Sequence, residues 1–247
     1  MKHLRWQMLA ACSLLSISFF IYLLHYMLFQ DMHHIFVFMV GHLAFLPIEI
    51  LTVTIIIDQV LKAREKKTII IKLNMVIGIF FSKVGIDLLK RLSVFDRNTD
   101  KIRKHLIFTT DWEKHDFKRA SEKIKTASYD INSRLGDLED LKHFMNNEMD
   151  FLLMLLLGNQ PLLEHENFTD LLWAITHLSE ELALRDDLNR LSGTDLDHLS
   201  FDIKKTYTLL LGEWLAYMSH MKNNYPQLFS LAVRTNPFNP DVSVALQ

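Results

Sequence analysis

Apolar residues are concentrated at the N-terminal end of the chain and become dispersed after it. Residues 6 to 29 read W-Q-M-L-A-A-C-S-L-L-S-I-S-F-F-I-Y-L-L-H-Y-M-L-F, with no acid, lysine or arginine. Residues 35 to 57 form a second run of similar length that holds one acid, Glu49. A helix needs roughly 20 such residues to cross the hydrocarbon core of a bilayer, so each run is expected to be a membrane span. Only Q-D-M-H-H, residues 30 to 34, separates them, which predicts a tight helical hairpin. L-A-A-C at residues 9 to 12 has the letters of a lipoprotein cleavage box. Such a box follows its apolar run, whereas here the run follows the cysteine, so cleavage is not expected.

Charge sets the expected orientation. Lys2 and Arg5 precede the first run, the connection carries neither Lys nor Arg, and Lys62, Arg64, Lys66 and Lys67 follow the second. This positive-inside pattern predicts an integral protein of the plasma (inner) membrane with both termini cytoplasmic. Residues 68 to 92 are apolar enough to suggest a third crossing, but that would place one of two flanking basic clusters outside. An amphipathic membrane-proximal helix is expected instead, with Leu73, Val76, Ile77, Phe80, Phe81, Val84 and Leu88 on one face. Asn74, Gly78 and Ser82, with Gly85 beside them, form a small-residue edge for close helix packing, within the chain or between copies.

Past Asp96 the pattern becomes charged and helical, with helices expected near 99–108, 112–157, 168–192, 195–224 and 226–234. Breaks are expected at 158–161 and at Ser192-Gly193, and Thr194 with Asp197 resembles a capping box. The run F-L-L-M-L-L-L, residues 151 to 157, is apolar all round and is expected to be the central helix of a bundle. The segment N-P-F-N-P, residues 236 to 240, is expected to lie over the surface. The fold class is therefore all-α: a two-span transmembrane hairpin (1–57, spans 6–29 and 35–57), a basic linker with an amphipathic helix (58–95), and a cytoplasmic helical bundle (96–247).

Composition narrows the chemistry. A net charge of −2 gives no electrostatic case for nucleic acid. The one cysteine, Cys12, cannot form an intrachain disulfide, and inside an apolar run it is a poor nucleophile. There is no phosphate-binding glycine loop, no G-x-S-x-G elbow, no cysteine-rich zinc motif and no Thr-Val-Gly-Tyr-Gly filter.

Two sets of residues remain. In the second span, His42, Glu49 and Thr52 share a face, and Ser16 stands at a comparable depth in the first. They either hydrogen-bond helices to one another or line a proton or ion path. Beyond the spans, His177 and Glu181 lie four apart on one expected helix, with Glu180 beside them, and Asp195, His198 and Asp202 follow on the next. Such spacing puts side chains on one helix face, so His177, Glu181, His198 and Asp202 could build a divalent metal site between two helices. The plainer reading is solvated side chains, since the Glu-x-x-His pairs of di-iron bundles are not met. Glu213 and His220 share a face further on, and His115-Asp116 has the letters of a phosphohydrolase doublet. Trp112, Trp173, Trp214, Tyr207, Tyr217 and Tyr225 are expected to pack in the core.

The expected function is a homo-oligomeric integral membrane protein acting as a pore, sensor or scaffold. The alternative is a membrane-tethered, metal-dependent helical enzyme. Expected partners are membrane lipids, further copies of the chain and other membrane proteins, with no nucleic acid and no cofactor beyond a divalent metal.

Overall fold

The computed structural model describes residues 2–158 and 165–240, and its described part is helical, joined by turns and one isolated antiparallel bridge, Asp96 to Ile131. The helices are α1 (Lys2–Phe29), α2 (Met32–Phe80), α3 (Ile86–Ser93), α4 (Thr99–Arg103), α5 (Lys114–Lys125), α6 (Leu138–Gly158), α7 (Glu166–Ala183), α8 (Gly193–Asn224) and α9 (Pro226–Arg234). The chain divides into two compact units, Met1–Lys66 and Lys67–Gln247.

In the first unit the apolar runs are helical, and Gln30 makes the turn with a positive φ of 52°. Asp31 accepts the backbone N–H of His34 at 3.0 Å and so satisfies a free donor at the start of α2. The basic stretch after Ile57 is not a separate linker, because helix continues through it. D-Q-V-L-K-A-R-E-K-K holds no Gly or Pro, is mostly strong helix formers, and adds an Asp58–Lys62 pair at 2.8 Å one turn apart.

In the second unit Leu73, Ile77, Phe80, Phe81, Val84 and Leu88 are buried in the hydrophobic core. Phe80 and Phe81 are consecutive, and a regular helix would turn them about 100° apart. A wide turn of π-helix at Phe81–Gly85 inserts the extra residue, so that both rings face inward. Phe80 then meets Phe168 edge-on at 5.2 Å and Phe81 stacks on Tyr217 at 5.3 Å. A Cβ on Gly78 would sit 2.9 Å from the Tyr217 hydroxyl, so part of the small-residue edge lets α2 approach α8 within the chain. Asn74 instead bonds its own helix, donating to the Ile70 carbonyl, and at Gly85 a side chain would meet the Phe80 and Phe81 rings.

The central helix is α8, which touches α3, α5, α7 and α9. The run at 151–157 does not hold that place. Leu152 and Leu155 are buried, but Leu153 and Met154 are exposed, because α6 packs on α7 along one face. A helix can be apolar all round without being enclosed. The core of α8 is Leu199, Ile203, Tyr207, Leu210, Leu211, Trp214 and Leu215. Trp173 and Tyr225 are exposed, unlike the other aromatics considered, which are buried or partly so.

The expected helix 112–157 is two helices with an ordered loop at 126–137. Ser128, Asp130, Asn132, Ser133 and Gly136 there favour turns over helix. Buried Asp96 organises this loop, its Oδ1 accepting from the backbone N–H groups of Asn98 and Asp130, each at 3.0 Å. Similarly, 168–192 is shortened to α7 followed by a 3₁₀ turn at Leu188–Arg190, and 99–108 to one turn of α4. The α8 cap is Ser192, whose hydroxyl accepts from Asp195 N at 3.1 Å, so helix begins two residues earlier than Asp195 and Thr194 is inside it. Asp116 closes a capping box with Glu113 at the start of α5, which accounts for the His115-Asp116 doublet as a helix start. The break at 158–161 falls largely outside the described residues. The tail is not draped over the surface: Asn236 is buried and donates to the Leu106 carbonyl at 2.8 Å, and Phe238 packs 5.4 Å from Trp214.

Two consequences can be measured by urea unfolding of the full chain. Asp96→Ala removes the acceptor of two loop N–H groups and is expected to cost about 1–3 kcal/mol at unchanged m-value. Glu213 is buried in the core, and that burial pushes its carboxyl up from its ordinary value, against the opposing charge of His165. The unfolded chain then ionises first, so stability is lost as pH rises from about 4 through the raised folded value. Glu213→Gln is expected to stabilise the chain at pH 7, with the difference vanishing on acidification below about pH 4.

Candidate functional site

Helices α7 and α8 run as neighbours joined through residues 184–192, and their facing sides are zipped by polar rungs. Deepest is Thr206, fully buried, whose hydroxyl donates to the Ala174 carbonyl at 3.3 Å. One turn outward Asp202 faces His177, then His198 faces Glu181, then Asp195 faces Arg185. The four-residue spacing on each helix is what stacks these rungs.

Three of the four residues singled out from the sequence come together as a compact group. One ligand atom from each of His177, His198 and Asp202 lies within 4.8 Å of the others. His198 Nε2 is 3.3 Å and His177 Nε2 is 3.7 Å from Asp202 Oδ2. The rings are half exposed, while the Asp202 side chain is only 5% exposed. Its Oδ2 is buried and receives no hydrogen bond among the described residues.

Glu181 stands at the edge of the group, with Oε2 3.5 Å from His198 Nε2. The same oxygen accepts from Arg185 Nη1 at 2.7 Å, and Arg185 also donates to the Glu181 carbonyl. This guanidinium bond holds the Glu181 carboxyl below the usual range against the opposing effect of burial, and the charges of Arg185, His198 and His177 act in the same direction. Arg185 was not singled out from the sequence, although Glu181 and Arg185 have the spacing of a helical ion pair. Asp195 is taken up elsewhere: the Ser192 hydroxyl bonds it at 2.6 Å and lowers its carboxyl, with help from Arg185. Two imidazoles and a carboxylate are nitrogen and oxygen donors suited to a divalent transition ion, and the exposed rings leave one side open to solvent.

The residues singled out in the apolar helices are not brought together in this way. Ser16 donates to Cys12 O and Thr52 to Ile48 O, each at 2.8 Å, so both hydroxyls are spent on their own helices. Glu49 is exposed, with no hydrogen bond or ion pair to any described residue. His42, with Val37, Phe38, Gly41 and Phe45, lines a shallow hollow of about 350 Å³ that Glu49 does not reach. Glu213 and His220 are likewise not joined, and burial pushes the His220 ring below its ordinary value.

Residues 1–61 match the family model described as MJ1433, N-terminal helical domain, and residues 69–234 match the one described as Uncharacterized protein MJ1433, C-terminal helical domain. The chain is 40% identical over 239 residues, 97% of its own length and 96% of the relative's, to Uncharacterized protein MJ1433 of Methanocaldococcus jannaschii. No solved structure matches. The chain belongs to the MJ1433 family.

Proposed function

We propose that this member of the MJ1433 family is an integral membrane protein, with α1 and α2 forming a two-span hairpin and the helical second unit acting on the cytoplasmic side as a sensor or scaffold in a homo-oligomer. The observation that carries the reading is that no residue in the most apolar window of either helix is buried. Leu15, Phe19, Phe20, Phe36, Leu43 and Ile50 all stand more than half exposed. Surface of this extent does not persist in water without association. The apolar stretch Met8–Phe29, 22 residues, is about 33 Å long as a helix, against a hydrocarbon core of about 30 Å. The basic residues at 62–67, with none in the connection, support the cytoplasmic assignment.

Self-association follows from Glu49. A carboxylate facing lipid near the bilayer centre costs at least a few kcal/mol, and neither Ser16 nor Thr52 is available to it within one chain. A second copy can supply the donor, and lipids cover the remaining apolar face.

Topology is tested by cysteine labelling in a Cys12→Ser background. Met32→Cys is expected to react with an impermeant maleimide in intact cells, and Pro240→Cys only after permeabilisation. The opposite pattern would sink the reading. For Glu49, light scattering in mild detergent is expected to give the same oligomer for wild type and Glu49→Gln and a smaller one for Glu49→Leu. In liposomes an imposed pH gradient is expected to decay equally with wild type and Glu49→Gln, since the amide keeps the hydrogen bond. Loss of flux in that variant would instead make Glu49 part of a proton path.

A further inference from the structure

The geometry points to a divalent transition-metal site held by His177, His198 and Asp202, with Glu181 as a fourth ligand that Arg185 withholds until the ion arrives. The inference does not rest on membrane insertion, because all five residues lie in the second unit.

Spacing is the first support. Tetrahedral zinc with ligands at about 2.0–2.1 Å has ligand atoms about 3.3–3.4 Å apart along each edge of the tetrahedron. The separations here are 3.3 Å for His198 to Asp202, 3.7 Å for His177 to Asp202 and 3.5 Å for His198 to Glu181. His177, His198 and Asp202 already lie within 4.8 Å of one another, whereas Glu181, outside that group of three, must swing away from Arg185 to complete the shell.

Asp202 is the second, independent support. Its buried Oδ2 points at both imidazoles and receives no hydrogen bond among the described residues. A buried carboxylate without donors or a compensating charge is costly. Neutral imidazoles supply no charge, whereas a dication bound by them compensates Asp202 directly. The donor set of two imidazole nitrogens and carboxylate oxygen suits zinc and its first-row neighbours better than calcium or magnesium, which prefer oxygen shells.

Glu181 turns the site into a switch. Its Oε2 is shared between His198 and Arg185, so a bound ion and the guanidinium compete for one carboxylate. Arg185 also faces Asp195, next to the α8 cap at Ser192, and its carbonyl accepts from Lys142 on α6 at 2.6 Å. An ion that takes Glu181 therefore releases the Arg185 guanidinium from that carboxylate, on a residue that also contacts α6 and the start of α8. The signal assigned to the sensor reading above is thus the ion itself.

The test uses the full chain in detergent, stripped with chelator and titrated with Zn²⁺ and Co²⁺, read by metal content after dialysis, by visible cobalt absorption and by thermal unfolding. Expected are one ion per chain, a tetrahedral cobalt spectrum and a raised unfolding midpoint. His177→Ala, which alters a half-exposed ring and leaves the core intact, is expected to weaken binding by about 100-fold, as is Asp202→Asn. Arg185→Gln is expected to tighten it by releasing Glu181 and removing a repelling charge. Failure of wild type to retain either ion, or equal retention by His177→Ala, would reduce the cluster to a histidine–carboxylate ion pair. Unchanged or weaker binding in Arg185→Gln would remove Glu181 from the shell. A chain that binds the ion yet fails the labelling test would overturn the membrane reading alone.

Discussion

The burial of one broad face along α8 is the constraint from which the second unit follows. Leu199, Ile203, Leu210, Leu211 and Trp214 share one broad face of the helix and are fully enclosed, while Phe201, Lys204, Lys205, Gly212 and Ala216 form an exposed stripe opposite them. An apolar face this broad and long needs several neighbours to cover it, and α3, α5, α7 and α9 supply them. The aromatic residues fill what the helices leave. Phe108 stands 5.3 Å from Trp214 and 5.4 Å from Phe229, and Phe238 covers the other side of the indole at 5.4 Å. The tail after α9 is therefore held by packing and by the Asn236 amide, which explains why a segment of two prolines and two asparagines is ordered.

The sequence was informative where one local rule decided the outcome. Two long apolar runs, a five-residue connection and an inward apolar face over 73–88 are read directly from the pattern, and helices appear in the runs and under that face. The pairing of His177 with Asp202 and of Glu181 with His198 was legible too, because spacings of four on consecutive helices leave few other ways for the faces to meet. What could not be read depended on tertiary partners. The run at 151–157 looked central because hydrophobicity counts residues, not neighbours, and α6 has one principal neighbour. The loop at 126–137 exists because Asp96, some thirty residues earlier, supplies the acceptor for Asp130 N. Arg185 was overlooked because a single arginine after an acid usually means a solvated pair, and only its carbonyl contact with Lys142 shows it tied to α6.

Three carboxylates of the second unit are buried, a fourth lies on a helix proposed to span the membrane, and each is treated differently. Asp96 is answered by backbone: two N–H groups converge on one oxygen and fix a loop. Glu213 is answered by favouring its protonated form, because burial disfavours the charge more than the opposing charge of His165 supports it. Asp202 is answered only in part, by two imidazoles whose charge is conditional on protonation.

Glu49 meets no hydrogen-bond or ion-pair partner among the described residues, and the hydroxyls of Ser16 and Thr52 are committed to their own helices. This ordering separates structure from function. Asp96 and Glu213 belong to loop and core, and their removal changes stability. Asp202 and Glu49 are the two for which we propose a component from outside the chain. For Asp202 the neighbouring donors are nitrogens at coordination spacing, so the missing component is a cation. For Glu49 the neighbouring Thr52 hydroxyl is committed to the Ile48 carbonyl and the surroundings are largely apolar, so the proposed component is the surface of another copy.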